Sequence, residues 1–397
     1  MTDTVPPDAP QTATGSPTRA AVPQRTVHPR AIARNVRRVT ARGQDLVAVV
    51  KGDGYGHGAT TVARIAVAAG AVALGTATLP DAVALRDAGI DARVLCWLHL
   101  PGTDFAAAAR RGIEVAVGDV DTLAAVADAG RRTGTPVVVH LHVDTGMARE
   151  GAEPDHWQGL VTAAVAADDD GTVVVRAVMG HVPNADRASA SRAAMLLRLA
   201  GLAVEGPLGR PVDLHLGGTP AAFAGADLAG IAVRVGAALV GIGPTSVGLE
   251  GAMTLTAPVV AVRRVHAGTP VGYDGTWVAP IDGRLAVVPV GYADGVPRGA
   301  SGRAAVLLGG QRMPVVGRVN MDQLVVDVGT AAVRVGDVAT VFGPDGGAPS
   351  VQEWADWAGT NPHEILTGLS PRLRRTAERG DAVAPPGRAR LVEGVQS

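Results

Sequence analysis

Eight short β-branched runs, separated by stretches with helical apolar spacing, constrain this chain more than any other feature. The runs lie at residues 46–50, 72–75, 93–97, 114–117, 137–143, 172–179, 212–216 and 231–235. An opening helix is expected around 32–39, and helical spacing recurs between the runs, as at 61–69, 80–87, 121–131 and 187–200. Strand–helix alternation makes successive strands parallel. Eight such units in roughly 200 to 250 residues fit a closed (β/α)8 barrel of the TIM type, with a doubly wound open sheet as the alternative. Beyond Glu250 the strands come closer together, at 284–290, 304–308, 314–319 and 323–328, with Gly and Pro turns between them. This predicts a smaller, mainly antiparallel β domain, with late helices around 351–358 and 362–369 packed on its surface. The expected organisation is a disordered tail at 1–24, a barrel domain at 25–250, a β domain at 251–380 and a flexible tail at 381–397.

At 397 residues, 47% of them hydrophobic, the chain has material for two cores. Its 36 basic and 37 acidic residues give a net charge of −1. That balance leaves no electrostatic footprint for nucleic acid or an anionic membrane, so small molecules are the expected partners. The single cysteine, Cys96, cannot form an internal disulfide, and no apolar run reaches the roughly 18 residues of a membrane span. The first residues lack the pattern of a secretory signal, which places the protein in the cytoplasm. Histidines are scattered, so no metal site is expected.

In such a barrel the reactive groups gather at the C-terminal strand ends. The first run ends in Lys51 and enters a glycine-rich turn, Gly52-Asp53-Gly54-Tyr55-Gly56-His57-Gly58. An amine there is partly desolvated, which lowers its pKa and suits it to form a Schiff base with an aldehyde cofactor. An isolated lysine is more often simply solvated, and glycines fit such turns for steric reasons alone. The fifth run leads to Asp144-Thr145-Gly146-Met147-Ala148-Arg149, where a guanidinium fork suits a carboxylate. The sixth ends at His181 and the seventh at His215-Leu216-Gly217-Gly218-Thr219, while the eighth carries Arg234-Val235-Gly236-Ala237. Taken singly, a histidine is more often a hydrogen-bonded core residue, and an arginine a surface or ion-paired one.

The string VVKGDGYGHG is very similar to the signature of the alanine racemase family, and the resemblance runs from about Ala31 to Arg375. It implies that Lys51 carries pyridoxal 5'-phosphate and that Tyr55 hydrogen-bonds the phosphate. Arg149 then binds the substrate carboxylate, and His181 sits behind the cofactor ring. Thr219 and the N–H groups of Gly236 and Ala237 hold the phosphate, and Arg234 faces the pyridine nitrogen. An arginine donates to that nitrogen but hardly protonates it, which weakens the ring as an electron sink and favours return of a proton to Cα. Racemisation needs acid–base groups on both faces of one carbon. The chain's three tyrosines, Tyr55, Tyr273 and Tyr292, all fall within family-like strings. The string at 271–277 implies that Tyr273 is the second base. The strings at 290–295 and 317–323 imply that Tyr292, Met321 and Asp322 line the substrate site. In the family these three segments come from the neighbouring subunit, which implies a head-to-tail homodimer with composite sites. As lone strings they read as hairpin connections.

Several positions depart from the family's pattern. His142 replaces a lysine that many relatives modify to a carbamate, so Arg149 needs another anchor, such as neutral His142, water or an anion. Val182-Pro183-Asn184 follows His181, Gly218-Thr219 replaces an Asn-Ser pair, Val240 stands where relatives often carry tyrosine, and Ser370-Pro371-Arg372 lacks the tyrosine some relatives place at the substrate gate. The reading expected is an isomerase that interconverts L- and D-alanine for cell-wall (peptidoglycan) precursors. A racemase of serine or of several small amino acids is the alternative, and a non-catalytic pyridoxal phosphate carrier is the reading from another class.

Overall fold

A computed structural model describes residues 22–378. The disorder expected of the tails lies outside the described residues except at 22–24, where the chain already enters its first strand.

The barrel strands follow in chain order after that first strand, β1 (Gln24–Val27): β2 (Leu46–Val49), β3 (Ala73–Thr76), β4 (Val94–Cys96), β5 (Glu114–Val117), β6 (Val137–His142), β7 (Val173–His181), β8 (Asp213–Gly217) and β9 (Ile231–Val235). Each pairs in parallel with its neighbour, and β9 closes on β2 in the register Val47 to Arg234, so the sheet is a closed barrel and not an open one. The strands are short and buried on both faces, as expected where helices cover the outside. Local sequence ends the intervening helices. Asp104, Asp119 and Asp186 accept the backbone N–H three residues ahead, and Gly112, Gly134 and Gly209 end the same helices in left-handed conformation. Such N-caps contribute about 1 kcal/mol each. The helix Arg187–Leu208 outruns the apolar pattern read at 187–200. Gly201 is the reason: a Cβ there would lie 2.7 Å from Leu214, so glycine allows helix and strand to approach, and Val204 is buried one turn later.

The second domain holds β10 (Met253–Pro258), β11 (Ala261–Val265), β12 (Pro270–Val271), β13 (Trp277–Val278), β14 (Gly283–Val288), β15 (Ala305–Leu308), β16 (Gln311–Pro314), β17 (Leu324–Asp327), β18 (Val338–Phe342) and β19 (Arg374–Ala377). They form a six-stranded sheet in the order β16-β15-β18-β10-β1-β19, a three-stranded sheet β11-β14-β17 and the pair β12-β13. Two details differ from the sequence reading. Residues 25–27, assigned by sequence to the barrel domain, belong to β1, which pairs antiparallel with β10 and parallel with β19, so the described residues begin in the second domain before building the first. The strand read at 314–319 is instead β16, followed by a single bridge from Val315 to Val326. Positive φ at Gly317 turns the following segment into a loop. One continuous apolar core runs from the barrel helices through Ala237–Val240 into Met253, Leu255 and Phe342 of the β domain. Among the described residues no helix is long and apolar enough to cross a membrane.

Candidate active site

The C-terminal mouth of the barrel opens into a cavity of about 860 Å³, lined by Lys51, Tyr55, Arg149, His181, Thr219, Arg234, Gly236 and Ala237 together with His142, Trp97 and residues of the β domain. The expected barrel residues therefore converge from five strand ends. Three lining side chains are cationic and only Glu150 is acidic.

Lys51 ends the run after β2. The chain then makes a left-handed turn, with Gly52, Asp53, Gly54 and Tyr55 all at φ between 52° and 62°. Left-handed backbone costs a non-glycine residue roughly 1–2 kcal/mol, so Asp53 and Tyr55 must be held there. Asp53 accepts from Ala59 N at 3.0 Å and pairs with Arg375 of β19. His57 Nδ1 donates to Tyr55 O at 2.7 Å. Glycine is compulsory at 56, where a Cβ would lie 2.3 Å from Leu366 O of the β domain. The turn thus lodges against the second domain and directs Tyr55 inward. A Cβ on Gly236 would lie 2.4 Å from Tyr55 Oη, so the tyrosine hydroxyl rests against bare backbone at 236. Burial pushes the Tyr55 phenol up to about 12, which keeps it a neutral donor. Ala237–Val240 and Thr219–Phe223 begin helical turns at the same wall, and the first N–H groups of such turns lack intrahelical acceptors.

Arg234 is buried beneath the cleft. Its Nη1 donates to His215 Nδ1 at 2.8 Å and to His215 O at 3.2 Å, and Nη2 donates to Gly180 O at 2.8 Å. Burial first, then the charge of Arg149, lowers Arg234 to about 9, which leaves it protonated at neutral pH. A Cβ on Gly217 would lie 2.4 Å from Arg234 Nη2 and 2.5 Å from His181 Nδ1, so this glycine lets both side chains meet. Burial, with Arg234 and Arg149 nearby, holds His181 down at about 3. Lys51 is lowered by the surrounding protein first and by Arg149 second, with Glu150 acting in the opposite direction.

Arg149 lies on a loop organised by Asp144, whose carboxylate accepts from the backbone of Gly146, Met147 and Ala148. Thr145 pins that loop to the end of β7 by donating to His181 O at 2.6 Å. Arg149 is exposed and approaches Glu150 at 3.8 Å. His142 is buried beside it and held at about 3, by burial and then by Arg234 and Arg149. A histidine so reluctant to gain a proton can act toward Arg149 only as a neutral acceptor. Of the other departures, Gly218 lines the cleft, whereas Pro183, Asn184, Val240 and Pro371 do not.

Tyr273, Tyr292, Met321 and Asp322 do not line the cleft of their own chain. They are exposed, Tyr273 to 70%, and are welded into one patch. Arg318 bridges to Asp274 at 3.0 Å, Tyr292 N donates to Asn320 O at 3.0 Å and Ala293 N to Met321 O at 2.9 Å. Arg372 joins Asp322 at 2.9 Å and Asp294 at 3.4 Å.

The sequence reading omitted Trp97, His363 and Thr367, which also line the cleft. Trp97 was legible in principle, since it follows the end of β4, and its ring lies 6.0 Å from the Arg234 guanidinium carbon. His363 and Thr367 sit on a helix of the β domain, Pro362–Thr367, and carried no local signal.

The profile of the alanine racemase N-terminal domain matches residues 27–244, and that of the C-terminal domain matches residues 252–377. The chain is 45% identical over 370 residues to an alanine racemase of Mycolicibacterium vanbaalenii, covering 90% of this chain and 94% of the relative. It superposes with a TM-score of 0.86 and 37% identity on the crystal structure of alanine racemase from D-cycloserine-producing Streptomyces lavendulae, covering 91% of this chain and 98% of that one. An alanine racemase from Bartonella henselae, solved with covalently bound pyridoxal phosphate, matches with a TM-score of 0.78 and 25% identity over 90% of this chain and 99% of that one. With family profiles covering both domains and close relatives along nearly its whole length, the chain belongs to the alanine racemase family.

Proposed function

We propose that this protein interconverts L- and D-alanine with pyridoxal phosphate linked to Lys51. The observation that carries the reading is the convergence of Lys51, Arg149 and Arg234 on one cleft that holds a single carboxylate, with Tyr55 packed on bare glycine backbone beside it. The residues present fit an anionic, aromatic cofactor. Tyr55, Thr219 and the backbone at Gly236 and Ala237 offer donors to a phosphate, Lys51 an amine to an aldehyde, and Arg234 a permanent donor to a ring nitrogen. His181 lies against Arg234 and stays neutral, which suits a group that backs the ring. When bound, the cofactor makes the Cα proton of an attached amino acid acidic.

The protein's own share is orientation and proton transfer. Arg149 binds the carboxylate of the amino acid, with Glu150 limiting its swing. Lys51, its pKa lowered in the cleft, holds or returns a proton on one face of Cα. The opposite face has no acid–base side chain assigned from the same chain, and Tyr273 of a second copy fills that role. The exposed patch at Tyr273, Tyr292, Met321 and Asp322 supports this, as do exposed Val278 and Ile281 nearby, which a second copy would cover. The working unit is then a head-to-tail homodimer. The lone cysteine, Cys96, is buried and unpaired, which fits a cytoplasmic enzyme supplying D-alanine.

Lys51→Ala tests the assignment. The variant should lose racemisation and the absorbance of lysine-linked cofactor while remaining folded. Persistence of that absorbance would place the linkage on another amine.

A further inference from the structure

The interior of a (β/α)8 barrel is usually filled by branched apolar side chains. Here one layer of it is polar. Glu114 on β5, His140 on β6, His215 on β8 and Arg234 on β9 are all buried and form one unbroken line. Arg234 Nη1 lies 2.8 Å from His215 Nδ1, His215 Nε2 lies 2.7 Å from His140 Nδ1, and His140 Nε2 lies 2.8 Å from Glu114 Oε2. Arg93 closes the far end on Glu114 at 2.9 Å, beside a cavity of about 450 Å³ at the barrel floor that Glu114, His140 and His215 also line.

Hydrogen-bond capacity fixes the direction of every bond in this line. A guanidinium has donors only, so His215 Nδ1 must accept, which puts its hydrogen on Nε2. His140 Nδ1 must then accept, which puts its hydrogen on Nε2 also, facing a carboxylate that only accepts. The same assignment follows when the line is read from Glu114. Burial would raise Glu114, but His140 and Arg93 together overcome it and hold it at about 2, while burial holds His215 well below its ordinary value. Both ends therefore agree on neutral rings with one tautomer each. Stability does not demand such a layer, because well-packed apolar residues can replace buried charges at little or no loss.

We propose that Glu114 and His140 are positioning residues that act through His215 on Arg234, fixing the guanidinium as an outward donor with no path by which the barrel interior could deliver a proton to the group it faces. The inference rests on the reading of Arg234 as the partner of a pyridine nitrogen. It extends that reading to His140 and Glu114, side chains that do not line the cleft. Glu114→Gln keeps an acceptor for His140. Glu114→Leu removes it.

The experiment is 15N NMR of histidine-labelled full-length protein, with and without added pyridoxal phosphate carrying a labelled ring nitrogen. Wild type and Glu114→Gln should show His140 and His215 neutral with hydrogen on Nε2, and an unprotonated ring nitrogen. Glu114→Leu should lose the fixed tautomers, shift the ring nitrogen, and lower kcat by about tenfold or more, the scale on which groups that orient a histidine act in metal sites. A folded Glu114→Leu whose histidine and ring-nitrogen signals match wild type would reduce the line to a structural core and overturn the proposal. Should that variant not fold, the wild type still decides: a charged His215, or one with hydrogen on Nδ1, contradicts the assignment. If the protein takes up no cofactor, the proposed function fails, while the histidine tautomers of the free protein still test the line itself.

Discussion

At the scale of single residues, the site depends on glycines as much as on reactive side chains. Gly236 and Gly217 have no steric freedom to spare, since a methyl group at either would strike Tyr55 or Arg234 and His181. Gly236→Ala should therefore weaken cofactor binding by roughly tenfold, about 1.4 kcal/mol, at little cost in fold stability. Equilibrium dialysis with pyridoxal phosphate checks this, and unchanged affinity would mean that Tyr55 does not set the phosphate pocket. Buried histidines give a second prediction. His57 is held at about 4 and His142 at about 3, both mainly by burial. The unfolded chain takes up protons on these residues below about 6.5, whereas the folded chain resists until pH 4 to 3, so stability is complete above about 6.5 and falls with decreasing pH through that window. Each histidine contributes a slope of up to about 1.4 kcal/mol per pH unit. Denaturant titrations at pH 7 and pH 5 should show the loss, and His142→Gln should make it shallower.

At the scale of elements, what could be read in advance was what short-range pattern encodes. The strand ends carrying Lys51, His181 and Arg234 were legible because each lies in or just after a β-branched run, and β5 and β9 occupy the residues expected of them. The left-handed turn at 52–55 was signalled by its glycines, but its anchoring by Arg375 and its seat against Leu366 join segments more than 300 residues apart, and no local pattern records such contacts. The same reason hid His363 and the pairing of β1 with β10 and β19. The buried line from Glu114 to Arg234 was half visible: His215 and Arg234 stand out in the strings of the seventh and eighth runs, yet which residues face the barrel interior together follows only from strand register.

At the scale of the whole molecule, one chain presents a cleft with Lys51 and a separate exposed patch with Tyr273. On the proposed reading a head-to-tail homodimer joins them into one site. Lys51→Ala and Tyr273→Phe should each be inactive, Tyr273→Phe retaining bound cofactor. Unfolded together and refolded as a mixture, they should recover about a quarter of wild-type activity, because half of the dimers are mixed and each has one intact site. Absence of recovery in mixed dimers verified by mass would place both bases on one chain.

The most direct test of the central claim is turnover of L-alanine and D-alanine, separately, by purified protein with added pyridoxal phosphate in deuterated water, following chirality and Cα exchange together. A two-base racemase predicts that each enantiomer yields the other, with solvent deuterium at Cα of the inverted product. Exchange without inversion would leave a single working base, and neither exchange nor inversion from either enantiomer would contradict the assignment of this site to alanine.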